Sequence, residues 1–118
     1  MKVREKLMKK ILFLFLMLST LSFSEVVKAK VIAVYGGDSF QVLIGNKKQN
    51  VKLYGISAPD PKESWGPKSK ESLSLLLLNK NVSLEIKSQS NSGMSVIVYS
   101  GKENINMKMI NSGNVRFI

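Results

Sequence analysis

Two short stretches hold most of the side chains with which this chain could do chemistry. Gly36-Gly37-Asp38-Ser39-Phe40 presents a carboxylate directly after two glycines. Val51-Lys52-Leu53-Tyr54-Gly55-Ile56-Ser57-Ala58-Pro59-Asp60 follows with an ammonium, a phenol, a hydroxyl and a second carboxylate. The set has the outline of an acidic, oxygen-rich site in which much of the acid is missing. Each residue also has an ordinary reading. Gly37-Asp38-Ser39 suits a hairpin turn. Asp60, held between Pro59 and Pro61, suits a turn or a helix start, and Lys52 suits a solvated strand position.

What is absent narrows the chemistry further. The chain contains no cysteine and no histidine, which excludes disulfides, zinc thiolates and thiol nucleophiles. Met107-Lys108-Met109 therefore reads as helix filling, because nothing completes a soft-metal site around it. With 118 residues, 44% hydrophobic and 22% charged, the chain fits one small domain with one core.

Residues 1–24 stand outside that core. Lys2, Arg4, Lys6, Lys9 and Lys10 make a basic opening, Ile11 to Leu18 is an unbroken apolar run, and Ser22-Phe23-Ser24 is a small-x-small cleavage sequence ahead of Glu25. This is the pattern of a secretory signal peptide. An uncleaved anchor is the alternative, but the run falls short of the roughly 20 apolar residues that span a bilayer. The expectation is export, to the cell envelope or beyond, with cleavage after Ser24 or after Ala29 and no stable membrane span afterwards. The remaining domain, 25–118, holds thirteen cations and seven anions, a balance of +6. Twelve of those cations are lysines scattered along the chain, so basicity permits a polyanionic partner and equally suits a solvated surface.

The elements that must position the site follow a small β pattern. Ala29 to Tyr35 is rich in Val, Ile and Tyr, Gly36-Gly37-Asp38 turns, and Ser39 to Ile44 reads as a second strand. Gly45-Asn46-Lys47-Lys48 closes a hairpin, and Asn50 to Tyr54 is a third strand ending at Gly55. Ser57 to Pro61 must be a loop because of its prolines. Trp65-Gly66-Pro67 starts a helix with Leu73, Leu76 and Leu77 on one face, Leu75 and Leu78 widening it, and Asn79 as a left-handed stop. Val82, Leu84 and Ile86 alternate as a strand. Ser88 to Gly93 reads as a polar loop, Met94 to Tyr99 as a further strand, and Asn104 to Ser112 as a second helix. That helix turns Ile105, Met109 and Ile110 inward and stops at Gly113. The expected fold is mainly β with helices, a five-stranded Greek-key barrel of the OB type.

Gly-Asp-Ser after the first strand, Leu53-Tyr54-Gly55-Ile56-x-Ala58-Pro59-acid, Trp65-Gly66 opening a helix, and Asn106 ahead of Asn111-x-Gly113 together resemble the staphylococcal nuclease, or thermonuclease-like, family. The resemblance runs from about Lys30 to Ile118. It implies calcium-dependent hydrolysis of DNA and RNA phosphodiesters: two aspartates and a backbone carbonyl hold Ca²⁺, a glutamate helps activate water, and two arginines grip the phosphate. By position, Asp38 matches the first aspartate and Ser57 stands at the second. Ala58 stands where a carbonyl serves. Asp60 occupies the glutamate position with a shorter reach, and Lys52 replaces the first arginine, keeping charge but losing the planar fork. The resemblance thus makes Asp38, Ser57 and Ala58 a weak Ca²⁺ site and Asp60 and Lys52 the catalytic candidates. Lys52 and Tyr54 become nucleic-acid contacts. The second arginine belongs near Gly93 or Met94, where this chain has none; the one arginine after residue 24 is Arg116, and the clamp is expected to be missing. Tyr54 and Trp65 suit either stacking on bases or helix and core packing.

Members of the family continue past Val115-Arg116-Phe117-Ile118 into a third, C-terminal helix, which this sequence does not include. The expected function is binding of nucleic acid or another polyanion, by a monomer, with impaired or absent hydrolysis. A weak Ca²⁺-dependent nuclease is one alternative. A protein-interaction or vestigial fragment is another.

Overall fold

The computed structural model describes residues 25–118, so the proposed leader lies outside the described residues. Among those described, no helix is long and apolar enough to cross a membrane. The strands are β1 (Val26–Val34), β2 (Ser39–Ile44), β3 (Lys47–Leu53), β4 (Ile56–Ser57), β5 (Asn81–Ser90), β6 (Gly93–Ser100), β7 (Glu103–Asn104) and β8 (Arg116–Phe117). The helices are α1 (Gly66–Leu77) and α2 (Ile105–Ser112).

Five strands close on themselves. β3, β2, β1, β5 and β6 are neighbours in that order, all antiparallel, and a parallel pairing of Val51, Lys52 and Leu53 with Met94, Ser95 and Val96 joins β3 to β6. Closure leaves no open edge in the barrel. The pleat sends every second side chain inward: Phe40 and Val42 from β2, Val51 and Leu53 from β3, Val82 and Leu84 from β5, and Met94, Val96 and Val98 from β6 are all buried. In β1 the inward residues are Ala29, Val31 and then Val34, an odd step. A register shift between Val31 and Ala33 supplies the extra residue, as a bulge does.

The helices cover the barrel through narrow faces. α1 buries Gly66, Ser69, Leu73 and Leu77. Leu75 and Leu78 do not widen that face; they are 74% and 42% exposed, because a turn of about 100° per residue carries Leu75 away from Leu73 and Leu77. Asn79 takes the left-handed conformation expected of a stop, at φ 64°, as does Gly113 after α2 at φ 78°. α2 begins with the Asn104 side chain accepting from the Met107 N–H at 3.1 Å, a capping bond that satisfies one of the helix's free donors.

Three local assignments change. The β2–β3 hairpin turns on Gly45-Asn46 alone, and Lys47 and Lys48 are already paired with Ile44 and Leu43. Ser88 to Ser90 is strand and not loop: it pairs with Gly93, Met94 and Ser95 of β6. Residues 87–92 are all exposed, so with solvent on both sides no alternation marks the strand. Ile56-Ser57 and Arg116-Phe117 form a separate two-stranded sheet.

Candidate functional site

Asp38 reaches the site because of what lies beneath its loop. Gly37 sits over the first turns of α1, where an added Cβ would be 1.8 Å from Ser69 Oγ and 3.0 Å from the Ala58 Cβ. Only a glycine lets the β1–β2 loop press this closely on the helix and the 57–58 segment. The contact brings Asp38 onto the next loop, where its Oδ2 accepts from the Ala58 N–H at 3.2 Å. Its backbone carbonyl accepts from the Leu53 N–H at 2.8 Å, which ties the same residue to β3.

Lys52 stands beside it. The β2–β3 ladder pairs Ser39 with Lys52, and Lys52 Nζ lies 4.0 Å from Asp38 Oδ2, with the lysine side chain 65% exposed and the aspartate 18%. A pair this loose and solvated contributes little to stability. Its consequence is electrostatic, since the one carboxylate at this spot already faces a cation. Lys52 also borders a groove of 240 Å³ shared with Tyr35, Ser39, Ser90 and Ser95.

The second group of candidates lines a neighbouring cleft of 370 Å³, which Ser57, Ala58, Asp60, Glu63, Trp65 and Arg116 border together. Asp60 is fixed there by its own loop: Oδ1 accepts from the Lys62 N–H at 2.9 Å and its carbonyl from the Glu63 N–H at 2.8 Å. The loop in turn lies on the helix start. A Cβ on Gly66 would be 2.0 Å from the Asp60 carbonyl oxygen. Asp60 is therefore a turn residue and a cleft residue at once, and the two readings do not compete.

Arg116 is the residue that sequence reasoning missed. It pairs with Ser57 across the β4–β8 sheet and so arrives at the site from the far end of the chain. That pairing brings the one arginine after residue 24, far down the chain in sequence, to the border of the cleft. Where the family resemblance places the second arginine, the geometry is unsuitable: Met94 is 4% exposed inside the barrel, and Gly93, at φ 148°, would set a Cβ 2.9 Å from the Asn50 carbonyl oxygen. The only signal for Arg116 was its being the sole arginine after residue 24.

Tyr54 lines neither cleft. Its backbone is held firmly, the carbonyl accepting from Asn106 Nδ2 at 3.2 Å and the N–H donating to the Val96 carbonyl at 2.8 Å. Its side chain is 52% exposed. Asn106, at 5% exposure, also bonds the Val98 N–H and the Val96 carbonyl, so this buried amide locks α2 to β6 and to the β3–β4 connection with its polar atoms satisfied.

The donor set does not make a calcium site by itself. Ca²⁺ takes roughly six to eight oxygen ligands and binds more tightly as their charge count rises. Asp38 is engaged by the Ala58 N–H and faces Lys52. No group of three or more acidic, histidine or cysteine side chains comes together among the described residues.

A closed five-stranded barrel with two helices, the arrangement of an OB fold, carries these candidate side chains on the loops between its strands and first helix. Residues 50–118 match the sequence model described as staphylococcal nuclease homologue, and the chain belongs to that family. It is also 36% identical over 112 residues to a protein of Haemophilus influenzae named as an uncharacterized endonuclease, an alignment that covers 93% of this chain and 62% of that protein. This chain thus spans less than two thirds of that relative's length. A calcium requirement is consistent with family membership, and so is a nucleic-acid substrate.

Proposed function

We propose that this domain, once exported, binds nucleic acid and hydrolyses its phosphodiesters poorly or not at all. The observation that carries the reading is the state of Asp38. In the position where a second carboxylate would complete a cation site stands Ser57, and the remaining acid is partnered by a backbone N–H and a lysine. A scaffold arranged this way retains positive groups for phosphate and lacks the charge that would hold Ca²⁺ in place. Removing one preorganised charge-stabilising donor typically costs about 100- to 1000-fold in rate. Losing both metal charge and the arginine fork at position 52 weighs heavily against efficient turnover, although such losses do not simply add.

The chain's own residues still offer a defined set of actions. Lys52 supplies a cation to a phosphate oxygen, Asp60 offers a carboxylate in the adjoining cleft, and the Ala58 N–H holds Asp38 still. The cleft shared by Asp60 and Arg116 favours a second reading, a weak Ca²⁺-dependent nuclease. A calcium titration of residues 25–118 with single-stranded DNA, reading binding and cleavage in the same samples, tests both. Metal-independent, salt-sensitive binding with negligible cleavage supports the first reading. Cleavage that needs Ca²⁺ and is lost in Asp38→Ala supports the second, and the absence of both activities overturns both. Export is tested by sequencing the N-terminus of the protein recovered outside the cytoplasm, which should begin after Ser24 or after Ala29.

A further inference from the structure

Lysines occur all round the barrel, but strand register gathers half of them on one side of it. Lys48 pairs with Leu43, Leu43 with Lys30, and Lys30 with Asn81, the neighbour of Lys80. Lys47 precedes Lys48 at the start of β3. Lys28 pairs with Ser83, whose other neighbour, Tyr99, leads into the turn that holds Lys102. Six of the domain's twelve lysines thus surround β1. All six are exposed, and none forms an ion pair among the described residues. Two nearby acids are already partnered: Glu85 lies 3.1 Å from Lys87 and accepts from the Tyr99 hydroxyl at 3.4 Å, and Glu103 lies 2.7 Å from Lys108. Glu25 stands at the margin, where β1 begins.

Between these lysines runs a groove of 490 Å³ bordered by Lys28, Lys30, Leu43, Ser83 and Tyr99. It shares no lining residue with the cleft of Asp60 and Arg116 or with the Lys52 groove. In the ring β3-β2-β1-β5-β6 the seam between β3 and β6, where Lys52 pairs with Ser95, falls opposite β1. The lysine face therefore points away from the candidate site.

Ammonium groups spread over several strands in two dimensions suit an extended anionic surface, whereas a nucleic-acid strand would follow a line. Lysine is a hydrated point charge without the planar fork that singles out one phosphate, and such charges add their attraction to anionic lipid within about a Debye length. The sequence places a membrane next to this face: three residues, 25–27, separate the proposed leader from Lys28. We propose that the β1 face docks on a bilayer containing anionic phospholipid, leaving the candidate site turned to solvent on the far side. The proposal rests on the export reading for the membrane the domain meets, and adds to it an orientation that outlasts loss of the leader.

The barrel and both helices lie within residues 25–118, so this part is tested, free of an apolar run that would attach to any bilayer. It is mixed at low salt with vesicles of equal parts phosphatidylglycerol and phosphatidylcholine, or of phosphatidylcholine alone, and bound protein is read by sedimentation. Binding is expected to the anionic vesicles only and should be released by added salt. Lys28→Gln with Lys30→Gln should weaken it by about 25-fold, at roughly fivefold for each lysine, and Lys47→Gln with Lys48→Gln similarly. Lys62→Gln with Lys70→Gln removes the same charge from the α1 side and should change it little. Trp65, the only tryptophan, borders the cleft, so its emission should not shift on vesicle binding.

Each variant is first checked for an unchanged thermal unfolding midpoint. Equal losses from the β1 and α1 pairs would reduce the effect to net charge and overturn the face. Substitutions at Lys28 and Lys30 that weaken single-stranded DNA binding and spare vesicle binding would assign the face to nucleic acid instead. A blue shift of Trp65 would put the candidate site against the lipid, and no binding to the anionic vesicles would end the proposal outright. Purified protein is used throughout, so these failures are read separately from a failure of export, which N-terminal sequencing decides.

Discussion

At position 57 a hydroxyl stands where the family resemblance puts a carboxylate. Asp38 bonds to the next residue through the Ala58 N–H at 3.2 Å, so an acid at 57 would add a second carboxylate one residue from that contact. Ser57→Asp should raise Ca²⁺ affinity by about 10-fold, measured calorimetrically, since affinity follows the charge count of the ligands. Arg116 limits the gain, being the cross-strand neighbour of residue 57 and a competitor for the new carboxylate. A second residue-scale prediction concerns stability alone. Ser69 Oγ is buried without a hydrogen-bond partner among the described residues, and an unmet buried polar group costs about 1 to 3 kcal/mol. Ser69→Ala removes that cost and places a better helix former in α1. Chemical denaturation should show a gain of about 1 kcal/mol, and an equal loss would mean that the hydroxyl is satisfied in solution.

The elements around the site depend on close backbone approach more than on side-chain packing, and Gly66 is where this is sharpest. A methyl there would meet the Asp60 carbonyl at 2.0 Å and the Pro61 Cα at 2.6 Å, both backbone atoms that cannot swing aside. Gly66→Ala should cost about 2 kcal/mol or more in a denaturation experiment, within the usual range for overpacking, and should loosen the Asp60 loop that lines the cleft. The sequence made this junction legible as Trp65-Gly66-Pro67, and the barrel strands were legible too, because one face of each is buried and its apolar residues alternate. Elements without such one-sided burial were not. The outer end of β5 has polar residues on both faces, and β4 and β8 are two residues each, shorter than any period. Their pairing joins Ile56 to Phe117 and Ser57 to Arg116, a contact between segments that no local pattern links. Asp38, Lys52, Ser57, Ala58 and Asp60 were singled out through the family resemblance, whose motifs lie at recognisable turns. Arg116 was hidden because its place is set by that long-range pairing alone.

At the scale of the whole molecule, the domain's lysines are spread around a closed barrel, so affinity for nucleic acid divides into a diffuse part and a local part. Both should fall with added salt as counterions are released, but Lys52→Ala should weaken single-strand binding more than Lys70→Ala, which alters an exposed residue of α1. Equal losses would mean that general surface charge does the binding. Rebuilding the chemistry is the stronger trial of the scaffold. An arginine at Met94 is the change that resemblance alone suggests, yet Met94 lies inside the barrel, where an unpaired charge would unfold the protein. The geometry favours leaving Arg116 in the cleft and combining Ser57→Asp, Lys52→Arg and Asp60→Glu, which restores metal charge, one fork and the longer carboxylate. This triple variant should raise Ca²⁺-dependent hydrolysis of single-stranded DNA by at least about 100-fold over the unaltered chain, taking the effect of one preorganised donor as the floor. Asp38→Ala in the same background should abolish the gain, because the new carboxylate at 57 has no metal to share without it. Arg116→Gln should remove a further part if the β8 arginine serves in the clamp's place. A triple variant that stays folded, takes up calcium and binds DNA, yet does not cleave it, would show that these loops no longer hold nuclease geometry, leaving a binding domain that kept the family's barrel and lost its reaction.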